Sequence, residues 1–127
     1  MDVTPYVPEG RQIIEGYGDR FFRVGGEVYE GSVLVFPDRA LSWPVTAFSE
    51  LTLEQLQPVR DASATVDLLL IGCGQRTELV TRKLYEPLRT EGIVIEAMAT
   101  GPACRTYNVL LAEERRVAAA LIAVDGE

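Results

Sequence analysis

The first third of the chain consists of short runs of β-favouring residues separated by turn signals. Before these runs, residues 1–11 contain two prolines and no periodicity, so we expect an irregular arm there. Gly25-Gly26 is typical of a primed hairpin turn, and Gly31 predicts a bulge or a close backbone approach. The pattern predicts four strands, which in chain order are Gln12–Glu15, Phe21–Val24, Glu27–Phe36 and Ala40–Trp43.

The rest of the chain alternates apolar strand-like runs with helical periods. Thr52 and Gln55 have the spacing of a capping box, which predicts a short helix that Pro58 ends or kinks. The later elements are predicted as a strand at Val66–Ile71, a helix from Thr81 to Glu91, a buried strand at Ile93–Met98, a helix capped by Thr100 that runs to Glu113, and a strand at Val117–Val124. The strand–helix–strand order indicates a right-handed βαβ unit with parallel strands. We therefore expect one α/β domain over residues 1–127, with a β-rich part at 12–43 and a βαβαβ-like part at 52–124.

Charge and composition narrow the classes of partner. The 127 residues include 12 Lys+Arg and 19 Asp+Glu, a net charge of −7 that argues against nucleic-acid binding. Basic residues are concentrated in the second half, where a local basic patch or a solvated face with scattered ion pairs would contain Arg76, Arg82, Lys83, Arg105, Arg115 and Arg116. We read no targeting signal and no apolar stretch long enough for membrane insertion, so we expect a cytoplasmic protein.

The inventory of reactive side chains is small. The absence of histidine excludes Ser-His-Asp and Cys-His nucleophiles and imidazole metal sites, and we predict no catalytic residue, metal or cofactor. Cys73 and Cys104 each follow a predicted strand, so both thiols are expected at one end of the sheet. The start of a helix should lower the pKa of Cys104. Two interpretations stay open, a redox dithiol or nucleophile and a pair of buried unreactive residues, and the second is favoured.

Two segments could form a pocket or a partner surface. The turn Gly72-Cys73-Gly74 is part of a dinucleotide fingerprint, but Thr77 stands where a glycine would be needed, so a structural turn is favoured. The polar segment Thr100–Asn108 either holds neighbouring loops by hydrogen bonds or lines a pocket that suits a small anion. The candidate residues are Gly72, Cys73, Gly74, Thr100, Gly101, Cys104, Arg105, Thr106, Tyr107 and Asn108, with Glu114 and Arg116 as a charged rim.

The segments at residues 100–110 and 114–121 resemble the C-terminal signature of a family of small domains long described as of unknown function. That family includes mitochondrial complex I assembly factor three and the adipogenesis-associated Mth-type domain proteins. Further agreement lies in Tyr17-Gly18 with Phe22, in Tyr29–Ser32, in Leu41–Trp43 and in Ile71–Gln75. The resemblance covers nearly the whole chain, and it implies a three-layer α/β domain around a mixed, mostly parallel sheet with an N-terminal β-hairpin region.

The resemblance also carries a functional expectation. The mitochondrial relative assists assembly of respiratory complex I, no enzymatic activity is established for the family, and this chain looks like a bacterial member. We therefore predict a non-catalytic binding or assembly protein with an unidentified protein partner. A membrane-associated complex is one candidate for that partner, and the formation of a homo-oligomer is left open. Exposed Trp43 or Tyr17 would anchor the partner, and the basic second half would dock an acidic surface.

Two alternatives remain from the residues. A small-molecule or redox-active binding protein would use the pocket between Gly72–Gly74 and Thr100–Asn108. An orphan enzyme would need Glu114 or Tyr107 as its acid or base, and this third interpretation ranks lowest.

Overall fold

The computed structural model of the protein describes residues 10–125, so most of the predicted N-terminal arm lies outside the described residues. A first sheet is an antiparallel meander of β1 (Ile14–Gly18), β2 (Phe21–Val24) and β3 (Glu27–Glu30). Gly25 and Gly26 have φ of +58° and +84°, as a primed turn requires, so the predicted hairpin between β2 and β3 is confirmed.

The second sheet has the strand order β5-β4-β8-β6-β7. Its strands are β4 (Val33–Phe36), β5 (Arg39–Ser42), β6 (Leu68–Gly72), β7 (Val94–Met98) and β8 (Val117–Leu121). β4 pairs antiparallel with both β5 and β8, and β6 pairs parallel with both β8 and β7. Four strands therefore run in one direction and β4 alone runs against them, which confirms the mixed, mostly parallel sheet.

The single run predicted over Glu27–Phe36 is in fact two strands in different sheets. Gly31 divides it with a φ of +81°, a conformation that turns the chain sharply. The Gly31 N–H donates to the carbonyl of Arg20 at 2.8 Å, so this bend is fixed to the β1–β2 turn. Gly31 therefore marks a transfer between layers, where the sequence predicted only a bulge or a close approach.

Three α-helices connect these strands, namely α1 (Gln57–Asp61), α2 (Arg82–Thr90) and α3 (Thr100–Ala112). Two short 3-10 turns precede α1, and the predicted capping box is present there because the Thr52 N–H donates to Gln55 Oε1 at 2.8 Å. Pro58 was expected to end or kink this helix. The 3-10 turn capped by Thr52 does end at Leu56, but Pro58 does not end the helical segment, which continues as α1. Pro58 lies in the first turn of α1, where its missing N–H has no helical partner to lose.

The alternation of side chains along β8 separates two hydrophobic cores. Ala118 and Ala120 face the core that contains α1 and α2, whereas Ala119 and Leu121 face the core beneath α3 and the first sheet. The five-stranded sheet is thus the middle of three layers, as the resemblance implied. Within the part of the chain that the structure describes, no helix is long and apolar enough to span a bilayer.

Two expectations about exposure are corrected by the layers. Trp43 is 5% exposed and its indole N–H donates to the carbonyl of Gln55 at 2.8 Å, so Trp43 is a core residue and not a surface anchor. β7 was expected to be buried, but it lies at an edge of the sheet and leaves Val94 57% exposed.

Candidate functional site

The candidate segments meet where two connections leave the sheet in opposite directions. The chain after β6 runs to α2 on one face, and the chain after the neighbouring β7 runs to α3 on the other face. Adjacent parallel strands whose connections diverge open a crevice at their carboxyl ends, which is the usual ligand site of an open α/β sheet. Gly72–Gly74 and Thr100–Gly101 lie at this position, as predicted.

Thr100 closes the crevice between the strands. Its side chain is fully buried, and Oγ1 accepts from the Gly74 N–H at 3.0 Å while donating to the carbonyl of Ile122 at 2.8 Å. The Thr100 N–H donates to the carbonyl of Gly74 at 2.9 Å. The expectation that Thr100 caps α3 is wrong, because Ala99 occupies the cap position and the Thr100 hydroxyl joins the ends of β6 and β8 instead.

Gly72 is required by the closeness of this packing. A Cβ atom at position 72 would lie 3.0 Å from the Cα of Thr100 and 3.0 Å from a methyl carbon of Leu121. Backbone cannot yield as a flexible side chain can, so a larger residue would force the crossing apart. This geometry gives the turn a structural reason that needs no nucleotide.

The beginning of α3 has few free donors for an anion. The Thr100 N–H is bonded to Gly74, Pro102 has no N–H, and the Ala103 N–H donates to the carbonyl of Ala99 at 3.0 Å. Among the first four residues of α3, only Gly101 keeps an uncommitted N–H. Phosphate sites at helix starts depend on several free N–H groups, so the geometry does not favour the predicted small-anion site.

The two thiols do not meet. Cys73 packs in the core beside α2 and Cys104 in the core beneath α3, so they lie on opposite faces of the sheet. Burial raises the pKa of Cys104 to about 12, although nearby Arg105 acts in the opposite direction. Burial also raises the pKa of Cys73. The expected lowering of the Cys104 pKa is wrong, because desolvation outweighs the helix start.

Asn108 performs the loop-holding role that the sequence predicted for its segment. Its Oδ1 accepts from the Ile14 N–H at 2.9 Å and its Nδ2 donates to the carbonyl of Ile14 at 2.7 Å. These two bonds fasten β1 to α3 across 94 residues of sequence. Of its neighbours, Thr106 is half-buried and Arg105 is exposed on the same helix.

Tyr107 is buried, and its position supports no role in acid–base chemistry. The side chain is fully buried, and its hydroxyl is the one buried side-chain polar atom without a hydrogen-bond partner in residues 10–125. Burial raises the pKa of this phenol. A phenol that is shielded from water and held neutral has no access to a substrate, so the geometry gives no support to Tyr107 as an acid or base.

Replacing Tyr107 with phenylalanine should therefore raise the free energy of unfolding by about 1 kcal/mol, because an unpartnered buried hydroxyl costs desolvation energy. Urea denaturation of the two proteins measures the change. A loss of stability would instead mean that the hydroxyl has a bound partner such as an ordered water.

Glu114 and Arg116 do not form the predicted charged rim. Arg116 immediately precedes β8 and lies 3.2 Å from Asp67, which precedes β6, so this pair is at the amino ends of the strands. Glu114 follows the end of α3 and lines the same region. Because α3 runs antiparallel to the strands, its last turn and the candidate crevice are at opposite ends of the sheet.

Sequence reasoning placed Gly74 and Gly101 at this site and named Tyr17 as an exposed anchor, but it missed other residues that line the crevice, namely Asp19, Arg20, Gln75 and Asp125. The β1–β2 turn brings Arg20 to the carbonyl of Val124 at 2.7 Å, and the Tyr17 hydroxyl lies directly over Gly101. We define the carboxyl-end crevice as two adjoining cavities of about 360 and 600 Å³ whose lining includes Tyr17, Asp19, Arg20, Gly74, Gln75, Gly101 and Asp125. Asp19 and Arg20 form the two-residue loop of the β1–β2 hairpin, and both have positive φ, as a primed turn requires. Neither residue is glycine, so the sequence does not signal this turn type.

Known proteins with similar sequences match most of this chain. A protein from Rhodobacter capsulatus, itself described as uncharacterised, is 40% identical over 113 residues, which are 89% of this chain and 86% of that protein. The NADH dehydrogenase (ubiquinone) 1 alpha subcomplex assembly factor 3 of Xenopus tropicalis is 33% identical over 109 residues. That match covers 86% of this chain but only 60% of the assembly factor.

Solved structures agree with the fold. An outer membrane protein from Bartonella henselae superimposes with a TM-score of 0.86 at 36% identity, covering 94% of this chain and 100% of that chain. A Mth938-like domain protein from Bordetella pertussis gives a TM-score of 0.83 at 28% identity, covering 100% of this chain and 94% of that chain.

The family model described as protein of unknown function (DUF498/DUF598) matches residues 14–122, a span that begins with β1 and ends just beyond β8. It therefore includes both sheets, all three helices and most of the carboxyl-end crevice. The resemblance inferred from the sequence is confirmed, and the chain belongs to this family.

Proposed function

We propose that the protein is a non-catalytic binding or assembly protein that acts through protein–protein contact. One observation carries the proposal: the two polar side chains that the candidate segment directs into the fold are used in internal structural bonds. Thr100 and Asn108 bond to backbone groups, and both thiols are buried with raised pKa values. The similarity to complex I assembly factors supports the same function, and the predicted cytoplasmic location is part of the proposal.

The carboxyl-end crevice is the surface that we assign to the partner. Tyr17 is 40% exposed at its edge, and Gln75 is exposed beside it, so an aromatic ring and an amide are both accessible. The turn at Asp19 and Arg20 holds two non-glycine residues at positive φ, a conformation often retained at binding sites. The crevice thus combines a rigid floor with an accessible rim.

Charge suggests the chemistry of the partner. Arg76 follows Gln75 in the chain, and Arg105 lies one helical turn after Gly101, so both arginines flank the crevice. Both are exposed, and neither forms an ion pair with another of residues 10–125. Asp19 and Asp125 also line the crevice, and Asp125 lies 3.5 Å from Arg20, so the rim is mixed in charge. The guanidinium groups of Arg76 and Arg105 are its positive part, and they favour an acidic segment on the partner.

The test is gentle purification of the tagged protein from its own host, followed by native mass spectrometry and peptide identification. We expect a complex with an added protein mass. The fraction of the chain recovered in this complex should fall at least about tenfold in the double variant Arg76→Glu/Arg105→Glu, since buried charge contacts at interfaces cost about 2 kcal/mol or more when broken. The matched control is Arg23→Glu/Arg115→Glu, which reverses two exposed arginines away from the crevice.

Three results would contradict this proposal. Recovery of only the free chain would show that no partner binds. Equal loss of the complex in both double variants would show that the partner does not bind at the crevice. A small added mass that the Arg76→Glu/Arg105→Glu variant loses would favour the alternative of a small-molecule binding protein, because the crevice is large enough to hold one.

A further inference from the structure

A second surface, which adjoins the crevice at Glu78, is left open along β7. The Val94 N–H donates to the carbonyl of Asp67 at 2.9 Å, and the carbonyl of Met98 accepts from the Cys73 N–H at 2.8 Å. These bonds orient the even-numbered residues of β7 toward β6. By the alternation of a β-strand, the backbone groups of Ile95 and Ala97 point away from the sheet, and β7 pairs with no further strand among residues 10–125.

The open edge is also apolar. A groove of about 490 Å³ runs between β7, α2 and the segment before α2, and we call it the β7 groove. Its apolar lining includes Leu79, Val80, Tyr85, Ile93 and Ile95. Leu79 is 91% exposed, and Val94, which also lines the groove, is 57% exposed. An unpaired edge with large exposed aliphatic side chains is a template for pairing with another chain.

The charges of the β7 groove are divided between its two ends. Glu78 follows β6 and is close enough to Cys73 to influence the pKa of that thiol, so it lies at the carboxyl end of the strands. Arg89 is in the last turn of α2 and accepts a hydrogen bond on its carbonyl from the Gly92 N–H, so it lies where β7 begins. Within residues 10–125, neither residue forms an ion pair.

This arrangement is complementary to itself. When two copies of β7 pair antiparallel about a two-fold axis, the carboxyl end of one strand faces the beginning of the other. Glu78 of each copy is then directed toward Arg89 of the second copy, and the interface contains this attraction twice. An isologous contact requires such self-complementarity, whereas an unrelated peptide would have to supply both charges and their spacing by itself.

We propose that the protein forms a two-fold dimer through β7, in which the two five-stranded sheets join into one continuous sheet. The register centred on Ile95 places Ile95 against Ile95 of the second copy and Glu96 against Val94 of the second copy. A register centred on Glu96 would set two carboxylates face to face, which is unfavourable. In the favoured register, the two β7 grooves adjoin on one face of the joined sheet and cover the Leu79 side chains.

The first test removes one outward N–H without disturbing the ladder. Ala97→Pro deletes a donor that points away from β6, and proline is tolerated at such edge positions. The matched control is Ala40→Pro in β5, the opposite edge strand. There the Trp43 N–H donates to the backbone carbonyl of Ser32. The backbone groups of the odd-numbered residues of β5 therefore face β4, and the Ala40 N–H points outward. Analytical ultracentrifugation over a wide concentration range should show dimers for the unaltered protein and for Ala40→Pro, and monomers for Ala97→Pro.

The second test uses the charges and does not depend on proline. Glu78→Arg alone and Arg89→Glu alone each set like charges against one another twice. Each should weaken dimerisation by about tenfold, because two attractions between exposed groups are lost and two repulsions are introduced. Mixing these two variants restores both attractions in the heterodimer, so the mixed sample should dimerise about as strongly as the unaltered protein. This restoration decides the matter even if Ala97→Pro fails to fold.

A monomer at every concentration would overturn the proposal, as would equal dimerisation of Ala97→Pro and Ala40→Pro. A monomer that binds an extended segment of a different protein at β7 would overturn it as well. Arg76→Glu/Arg105→Glu changes no residue of the β7 groove, and Ala97→Pro and Arg89→Glu change no residue that lines the crevice. Failure of the dimer in these variants therefore leaves the proposed function standing, and failure of partner capture leaves the dimer standing.

Discussion

Replacing Thr100 with valine should lower the free energy of unfolding by about 2–4 kcal/mol, although the two side chains have nearly the same shape. The substitution leaves the Gly74 N–H and the Ile122 carbonyl without their buried partner, and each unsatisfied group costs about 1–3 kcal/mol. Urea denaturation monitored by circular dichroism measures this loss. The effect is large because one buried hydroxyl satisfies both a donor and an acceptor, and the remaining bond from the Thr100 N–H to the Gly74 carbonyl replaces neither.

Thr100→Ser is the matched control for this variant. Serine keeps the hydroxyl and removes only a methyl group, so it should lose no more than about 1 kcal/mol. If serine and valine were equally destabilising, the methyl group and not the hydroxyl would hold the crossing. That result would contradict the structural role assigned to Thr100 and would reopen its hydroxyl as a functional group.

Alkylation of the folded protein at pH 7.5 should be at least about a thousandfold slower at Cys104 than in the unfolded chain. The thiolate is the reacting species, and a pKa raised from 9.0 to about 12 lowers its fraction by that factor before steric shielding is counted. Cys73→Ala isolates Cys104 and Cys104→Ala isolates Cys73, so intact-mass spectrometry assigns each rate. Rapid alkylation of either folded variant would revive the redox-active alternative.

The same thiol predicts how stability depends on pH. Because the pKa of Cys104 is higher in the folded than in the unfolded state, the folded protein holds the proton after the unfolded chain has released it. The contribution of Cys104 to stability is therefore constant below about pH 9 and falls as the pH rises from 9 toward 12, by up to about 1.4 kcal/mol for each pH unit. The raised pKa of Cys73 acts in the same direction. Cys104→Ala should reduce this slope between pH 9 and 10, whereas the raised pKa of Tyr107 adds to it only at higher pH.

Much of the fold was accessible from the sequence because local rules agreed with the tertiary structure. The Gly25-Gly26 turn, the capping box at Thr52 and the βαβ order from β6 to β7 each rest on a few neighbouring residues, and each is confirmed. One prediction that failed, the burial of β7, concerns position in the sheet. The sequence of Ile93–Met98 shows a strand, but nothing within those residues reveals that it has only one neighbour.

The candidate site was predictable in location but not in chemistry. Gly72 and Thr100 meet as expected because parallel strands share one carboxyl edge. Whether a polar residue faces a pocket or an internal carbonyl depends on groups far away in the chain, such as Ile122 for Thr100 and Ile14 for Asn108. Glu114 was misplaced because the prediction relied on its closeness in sequence to the site residues of α3. The last part of that helix carries Glu114 away from the crevice, to the amino ends of the strands.

The central position of β8 has a consequence for biosynthesis. β4 and β5 on one side and β6 and β7 on the other have no strand pairing with each other, and they are joined only by β8 between them. A nascent chain on the ribosome therefore cannot close its main sheet until residue 121 has left the exit tunnel. Until then, two unpaired edges, at β4 and β6, are exposed together, and the high sequence separation of the β4–β8 contact slows the final step. The chain is thus most vulnerable to aggregation after β4 and β6 have emerged and before β8 has paired with them.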